Sequence, residues 1–111
     1  MEITTRQVYD VSVVDMSGRL DSQAAGYGND EMVRIVKGEN KKILINLDKL
    51  DFITSAGLRV LLLASKLQRS SGGQFKICNA NQFVKDVLET SGFSSLISLY
   101  PTEAEAVKSF K

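Results

Sequence analysis

Asn46-Leu47-Asp48-Lys49-Leu50-Asp51-Phe52-Ile53-Thr54-Ser55-Ala56-Gly57-Leu58 is the stretch on which the reading of this chain turns. Just before and into it, residues 42–47 carry Ile43, Leu44, Ile45 and Leu47, the nearly unbroken apolar run of a central strand covered on both faces. Residues 50–53 read as a connecting segment. A helix then opens at Thr54 or Ser55 and runs to about residue 70, where Gly72 and Gly73 stop it. The first turn of such a helix leaves backbone N–H groups without internal partners. Alanine and glycine behind the two hydroxyls keep those groups within reach of a partner's backbone or a phosphate. The same residues also serve a plainer purpose. A serine or threonine there caps the helix, and Gly57 lets helix and sheet approach closely.

Working outward, residues 3–8 and 8–16 read as a hairpin with its turn near Tyr9 and Asp10, and Ser17 and Gly18 end the second strand. Asp21 or Ser22 would cap a helix running toward Lys37. Gly26 and Gly28 weaken its first half, so residues 25–29 are expected to be irregular. Met32, Val33, Ile35 and Val36 give it an apolar side, and Gly38 is its stop. On the other flank, residues 75–78 read as a strand. A helix over residues 82–91 follows, with Asn81 as cap, Gly92 as terminator and a stripe of Phe83, Val84, Val87 and Leu88. Residues 96–99 read as a short strand. Thr102 and Glu105 have capping-box spacing, and Ala106, Val107 and Phe110 would face that last helix inward. The alternation predicts an α/β fold in a single domain over residues 1–111. Its sheet is mixed but mostly parallel, of four or five strands with about four helices, right-handed crossovers and an antiparallel hairpin at one edge.

Composition narrows the function classes. The 111 residues suit one domain, and 43% apolar with 24% charged residues is ordinary for a globular chain. A net charge of +1 argues against a nucleic-acid footprint. The absence of histidine excludes imidazole triads and most catalytic zinc sites, leaving a carboxylate-only magnesium site open. Cys78, the one cysteine, permits no internal disulfide and reads as a core residue. No apolar run is long enough to cross a membrane and the first residues lack a secretory pattern, so the cytoplasm is expected. A glycine-rich, lysine-containing phosphate loop is missing, and no base is spaced to activate Ser55. The chain therefore reads as a binding protein without cofactor rather than an enzyme. Along the helix after Ser55, Arg59, Leu63, Lys66 and Ser70 share one side, while Leu58, Leu61 and Ala64 turn the other way. Leu62 and Leu63 flank the Arg59 direction, either as a docking patch or against a neighbouring helix.

The segment ending in Ser55-Ala56-Gly57-Leu58 resembles the phosphoacceptor loop of bacterial anti-sigma factor antagonists, members of the STAS domain family. Gly18-Arg19-Leu20-Asp21 resembles the family's second signature, in the loop before the first helix. Gly72-Gly73 and Ser91-Gly92-Phe93 fall at its usual glycine turns. Three positions depart: Asn46 and Thr54 stand where aspartate is common, and Asp48 where a small residue is frequent. The resemblance implies a partner switch. The unphosphorylated antagonist binds an anti-sigma factor, commonly an ATP-dependent serine kinase, and so frees the sigma factor. Phosphorylation of the loop serine ends that binding, and a serine phosphatase restores it. On this mapping Ser55 is the acceptor, with Thr54 beside it as a second hydroxyl. Asp21, Thr54, Ser55, Ala56, Gly57, Leu58 and Arg59 would form the binding surface of a monomer or weak dimer. A non-switching scaffold in a stress-sensing assembly and a freestanding regulator of a transport system are the alternatives within the same resemblance.

Overall fold

The computed structural model describes residues 1–110. Its elements in chain order are β1 (Glu2–Val8), β2 (Val11–Leu20), α1 (Ala25–Lys37), β3 (Lys42–Ile53), α2 (Ser55–Ser70), β4 (Gln74–Cys78), α3 (Gln82–Thr90), a 3-10 turn (Phe93–Ser95), β5 (Ser98–Tyr100) and α4 (Glu103–Ser109). The sheet runs β1-β2-β3-β4-β5. β1 and β2 are antiparallel, as the hairpin reading expects, and every other neighbouring pair is parallel.

Side-chain alternation on the central strands divides the core in two. Val14, Met16, Ile43, Ile45 and Ile77 face one side, where Met32 and Ile35 of α1, Val60, Leu61 and Ala64 of α2, and Val84 and Leu88 of α3 cover them. Val11, Val13, Leu44 and Cys78 face the other side, under Ala106 of α4. Over Ile43, Leu44 and Ile45 both faces of β3 are thus dry, which is why the apolar run there is continuous rather than alternating.

Several boundaries differ from the sequence reading. β2 does not end at Ser17 and Gly18 but continues to Leu20. β3 does not stop at Leu47 either, since residues 50–53 are strand rather than connection. The two extensions pair with each other, Gly18 with Leu50, Arg19 with Phe52 and Leu20 with Ile53. Register shifts between Asp15 and Ser17 and between Gly18 and Arg19 interrupt the pairing, and Gly18 takes φ +98°, a conformation open to glycine. Bulges of this kind break the two-residue period by which a strand is recognised. Neither Asp21 nor Ser22 caps α1 directly. The helix starts at Ala25 without a side-chain cap, and residues 25–29 are regular helix. Gly28 is buried there. A Cβ on it would stand 3.2 Å from a Leu20 methyl and 3.5 Å from a Val60 methyl, so the glycine permits close packing instead of disordering the turn. α3 stops at Thr90 and the last strand lies at Ser98–Tyr100, since a 3-10 turn intervenes, held to the core by the buried Phe93 and by Ile97 just beyond it. The Asn81 and Thr102 caps are formed as expected, accepting from the N–H groups of Val84 and Glu105.

Candidate functional site

Two parallel strand ends build the site. Leu20 closes β2 and Ile53 closes β3 directly beside it. Thr54 then turns the chain, donating its N–H to the Leu20 carbonyl at 3.1 Å. Its side-chain oxygen accepts from the Gly57 N–H at 3.4 Å and so caps α2. Gly57 is buried against the end of β2. A Cβ at this position would meet the Leu20 carbonyl oxygen at 2.2 Å and the Ile53 and Leu20 side chains at 2.9 Å. The start of α2 is therefore pinned to the sheet through a position that only glycine fits.

That pinning divides the roles of the two hydroxyls. Thr54 is half-buried and committed to the cap, whereas Ser55, the first helical residue, is exposed. No acidic residue stands in the first turn of α2, so the positive end of the helix is uncompensated there. Arg59, one turn on, is exposed. Ala56 and Leu58 are half-buried, and Leu58 packs against the core. Of the seven sequence-nominated residues, Gly57 and Leu58 thus serve the fold, while Ser55 and Arg59 lie on the open surface.

Asp21 leaves β2 immediately after Leu20. Its Oδ1 accepts from the N–H groups of Gln23 and Ala24, each at 3.1 Å, which closes the turn leading into α1. Its Oδ2 lies 3.7 Å from Arg19 Nε. The Arg19 guanidinium in turn sits 4.3 Å from the centroid of the Phe52 ring, and Phe83 of α3 stacks on Phe52 at 5.2 Å. Sequence reasoning missed this ledge. Spacing puts Phe83 in the apolar stripe of its helix, yet it is 48% exposed, and nothing in local spacing joins it to Phe52.

Asn46 also has a structural explanation. Its Nδ2 donates to Asp15 Oδ1 at 2.7 Å, and its Oδ1 accepts from the Asp48 N–H at 3.2 Å and Asn79 Nδ2 at 3.0 Å. Asp15 is already held by Arg6, which also binds Glu103 of α4. A carboxylate at position 46 would face Asp15 with like charge, so the amide suits this sheet. Among the described residues, no group of three or more His, Cys, Asp or Glu is arranged to hold a metal ion, and no helix is long and apolar enough to cross a membrane.

The STAS domain family model matches residues 2–106. The chain belongs to the STAS domain family. Along its whole length this STAS chain is 30% identical to the proposed anti-sigma factor antagonist BtrV of Bordetella bronchiseptica, covering 96% of that protein. The fold is shared with an anti-sigma factor antagonist from Mycobacterium paratuberculosis at TM-score 0.91 and 22% identity, over 98% of this chain and 92% of that one. It is shared too with the phosphorylated form of the Bacillus cell fate determinant SpoIIAA, at TM-score 0.72 and 21% identity, over 96% and 97% of the two chains.

Proposed function

We propose that this STAS chain is an anti-sigma factor antagonist that binds an anti-sigma factor through the surface around the start of α2, and that phosphorylation of Ser55 ends the binding. The observation that carries the reading is the division of the two hydroxyls: Thr54 is spent as the cap, and Ser55 stands exposed at the first helical position. The names of BtrV and of the mycobacterial structure support the antagonist role, and the phosphorylated SpoIIAA supports a covalent switch on this fold.

The partner, an ATP-dependent serine kinase in this reading, would carry the chemistry. Ser55 Oγ attacks the γ-phosphorus of ATP, loses its proton to a base of the kinase and displaces ADP. The product adds about 1.5 to 2 negative charges at neutral pH. The chain itself tolerates them, because they sit at the positive end of α2 with no acidic neighbour in the turn. A partner packed against Ser55 does not, since the phosphate must be desolvated and accommodated there. Release thus needs no refolding. A phosphatase that hydrolyses the phosphoserine restores the binding form.

Incubation with the cognate anti-sigma kinase, Mg²⁺ and ATP, followed by intact-mass and fragment analysis, tests the switch. One phosphoryl group on Ser55, absent from Ser55→Ala, is expected. Modification of Thr54 instead, or no mass gain with an active kinase, contradicts it.

A further inference from the structure

At the far end of α2 from Ser55 lies a groove of about 560 Å³ between α1 and α2. Val33 and Val36 of α1 and Leu67 of α2 line it, with Lys37 and Lys41 at its rim. Leu67 is 45% exposed and Leu63, one turn earlier, is 42% exposed. Two leucines on successive turns of one helix are thus left without cover. Leu67 stands twelve residues beyond Ser55, or about 18 Å along the helix axis. The groove is therefore separate from the surface assigned to the switch.

Charge selects the occupant. The sixteen residues of α2 contain no aspartate or glutamate, and Lys66, next to Leu67, is exposed. Across the groove Lys37 adds another exposed cation, while the charge of Arg34 is answered by Glu31 at 2.8 Å. Glu39 is the one carboxylate among the lining residues. Lys37, Lys41 and Lys66 against the single Glu39 leave the surroundings of the apolar strip net positive. A second copy docking here would bring α2 cations against α2 cations. A bilayer surface is flat and would leave the concave groove unfilled. A helix with leucine-like side chains on one face and carboxylates along its flanks satisfies both the shape and the charge.

We propose that this groove docks an acidic amphipathic helical segment of a partner protein, independently of the state of Ser55. Apolar side chains of the segment insert between Val33, Val36 and Leu67, and its carboxylates meet Lys37, Lys41 and Lys66. The docking would hold a partner in place while contacts at Ser55 form and break.

The test is a titration of the ¹⁵N-labelled full chain with a synthetic amphipathic peptide bearing leucines on one face and glutamates on its flanks. The same peptide with lysine for glutamate, and phosphatidylglycerol vesicles, are the controls. Saturable shifts centred on the amides of Val33, Val36, Lys37, Leu67 and Ser71 are expected with the acidic peptide alone. Leu67→Glu and the pair Lys37→Glu/Lys41→Glu should each weaken binding by about tenfold or more, while Ser55→Asp leaves it unchanged. Because Leu67 is exposed, its substitution does not threaten the fold, and an unchanged spectrum elsewhere verifies that. No saturable shift, equal shifts with the lysine peptide, or wild-type affinity in the variants overturns the proposal. So does a response to vesicles or self-association at the same residues.

Discussion

Gly57 is the position where a single methyl decides the geometry of the site. A Cβ 2.2 Å from the Leu20 carbonyl oxygen cannot be absorbed by a flexible side chain, because the obstacle is backbone. Gly57→Ala is therefore expected to cost about 1–3 kcal/mol in chemical denaturation and to displace the start of α2, reducing partner binding even though Ser55 is untouched. Asn46→Asp exchanges the donor to Asp15 for a second carboxylate. Destabilisation is expected at neutral pH and should shrink as the pair takes up a proton. Cys78 is 1% exposed, and burial pushes its thiol up to about 12. Its reaction with an aromatic disulfide reagent should be slow in the native chain and rapid on unfolding. Ser55 was legible from sequence as one of two adjacent hydroxyls. What the letters left open was which of them is exposed, since capping geometry depends on the Leu20 carbonyl, a residue 34 positions from Thr54.

At the scale of elements, caps were the clearest signals because they are local. Asn81 joins two of them into one device: its Oδ1 accepts from Val84 N–H at 2.8 Å, and its Nδ2 donates to the Leu50 carbonyl at 3.1 Å. Asn81→Ala should cost about 1–2 kcal/mol, and hydrogen exchange should quicken in both α3 and the end of β3. Exchange confined to α3 would mean that the Leu50 bond contributes nothing. The strand ends were harder to read. Gly18, Asp48 and Lys49 lie where β2 and β3 slip register, so the alternation that identifies a strand disappears while the hydrogen-bonded ladder continues. Phe83 misled for a related reason. Its helical spacing matches Val84, Val87 and Leu88, yet its ring leaves that stripe for Phe52, a contact set by tertiary arrangement and invisible to periodicity.

The whole molecule is tied across its α4 face by one chain of charges. Arg6 of β1 binds Asp15 of β2 and Glu103 of α4, and Asn46 of β3 completes the row. The Arg6 guanidinium holds the Asp15 carboxyl below its usual range, with the Asn46 amide assisting and burial opposing. A carboxyl whose folded pKa is depressed lends stability above its unfolded value, about 3.9, and that stability is lost as pH falls through the folded value. Urea denaturation across a pH series should therefore give a shallower acid limb for Asp15→Asn than for the native chain. Parallel limbs would contradict the network's role. None of this charge network touches Ser55, which fits a scaffold that stays fixed while its surface changes partner.

The most direct test of that arrangement is the affinity of the chain for its anti-sigma factor, measured by calorimetry before and after stoichiometric phosphorylation of Ser55, with amide spectra of both forms. Affinity falling by at least about tenfold (about 1.4 kcal/mol), with spectral changes limited to the start of α2, the end of β2 and Asp21, is the expected result. Equal affinity of the two forms, or shifts spread through the core, would contradict the account.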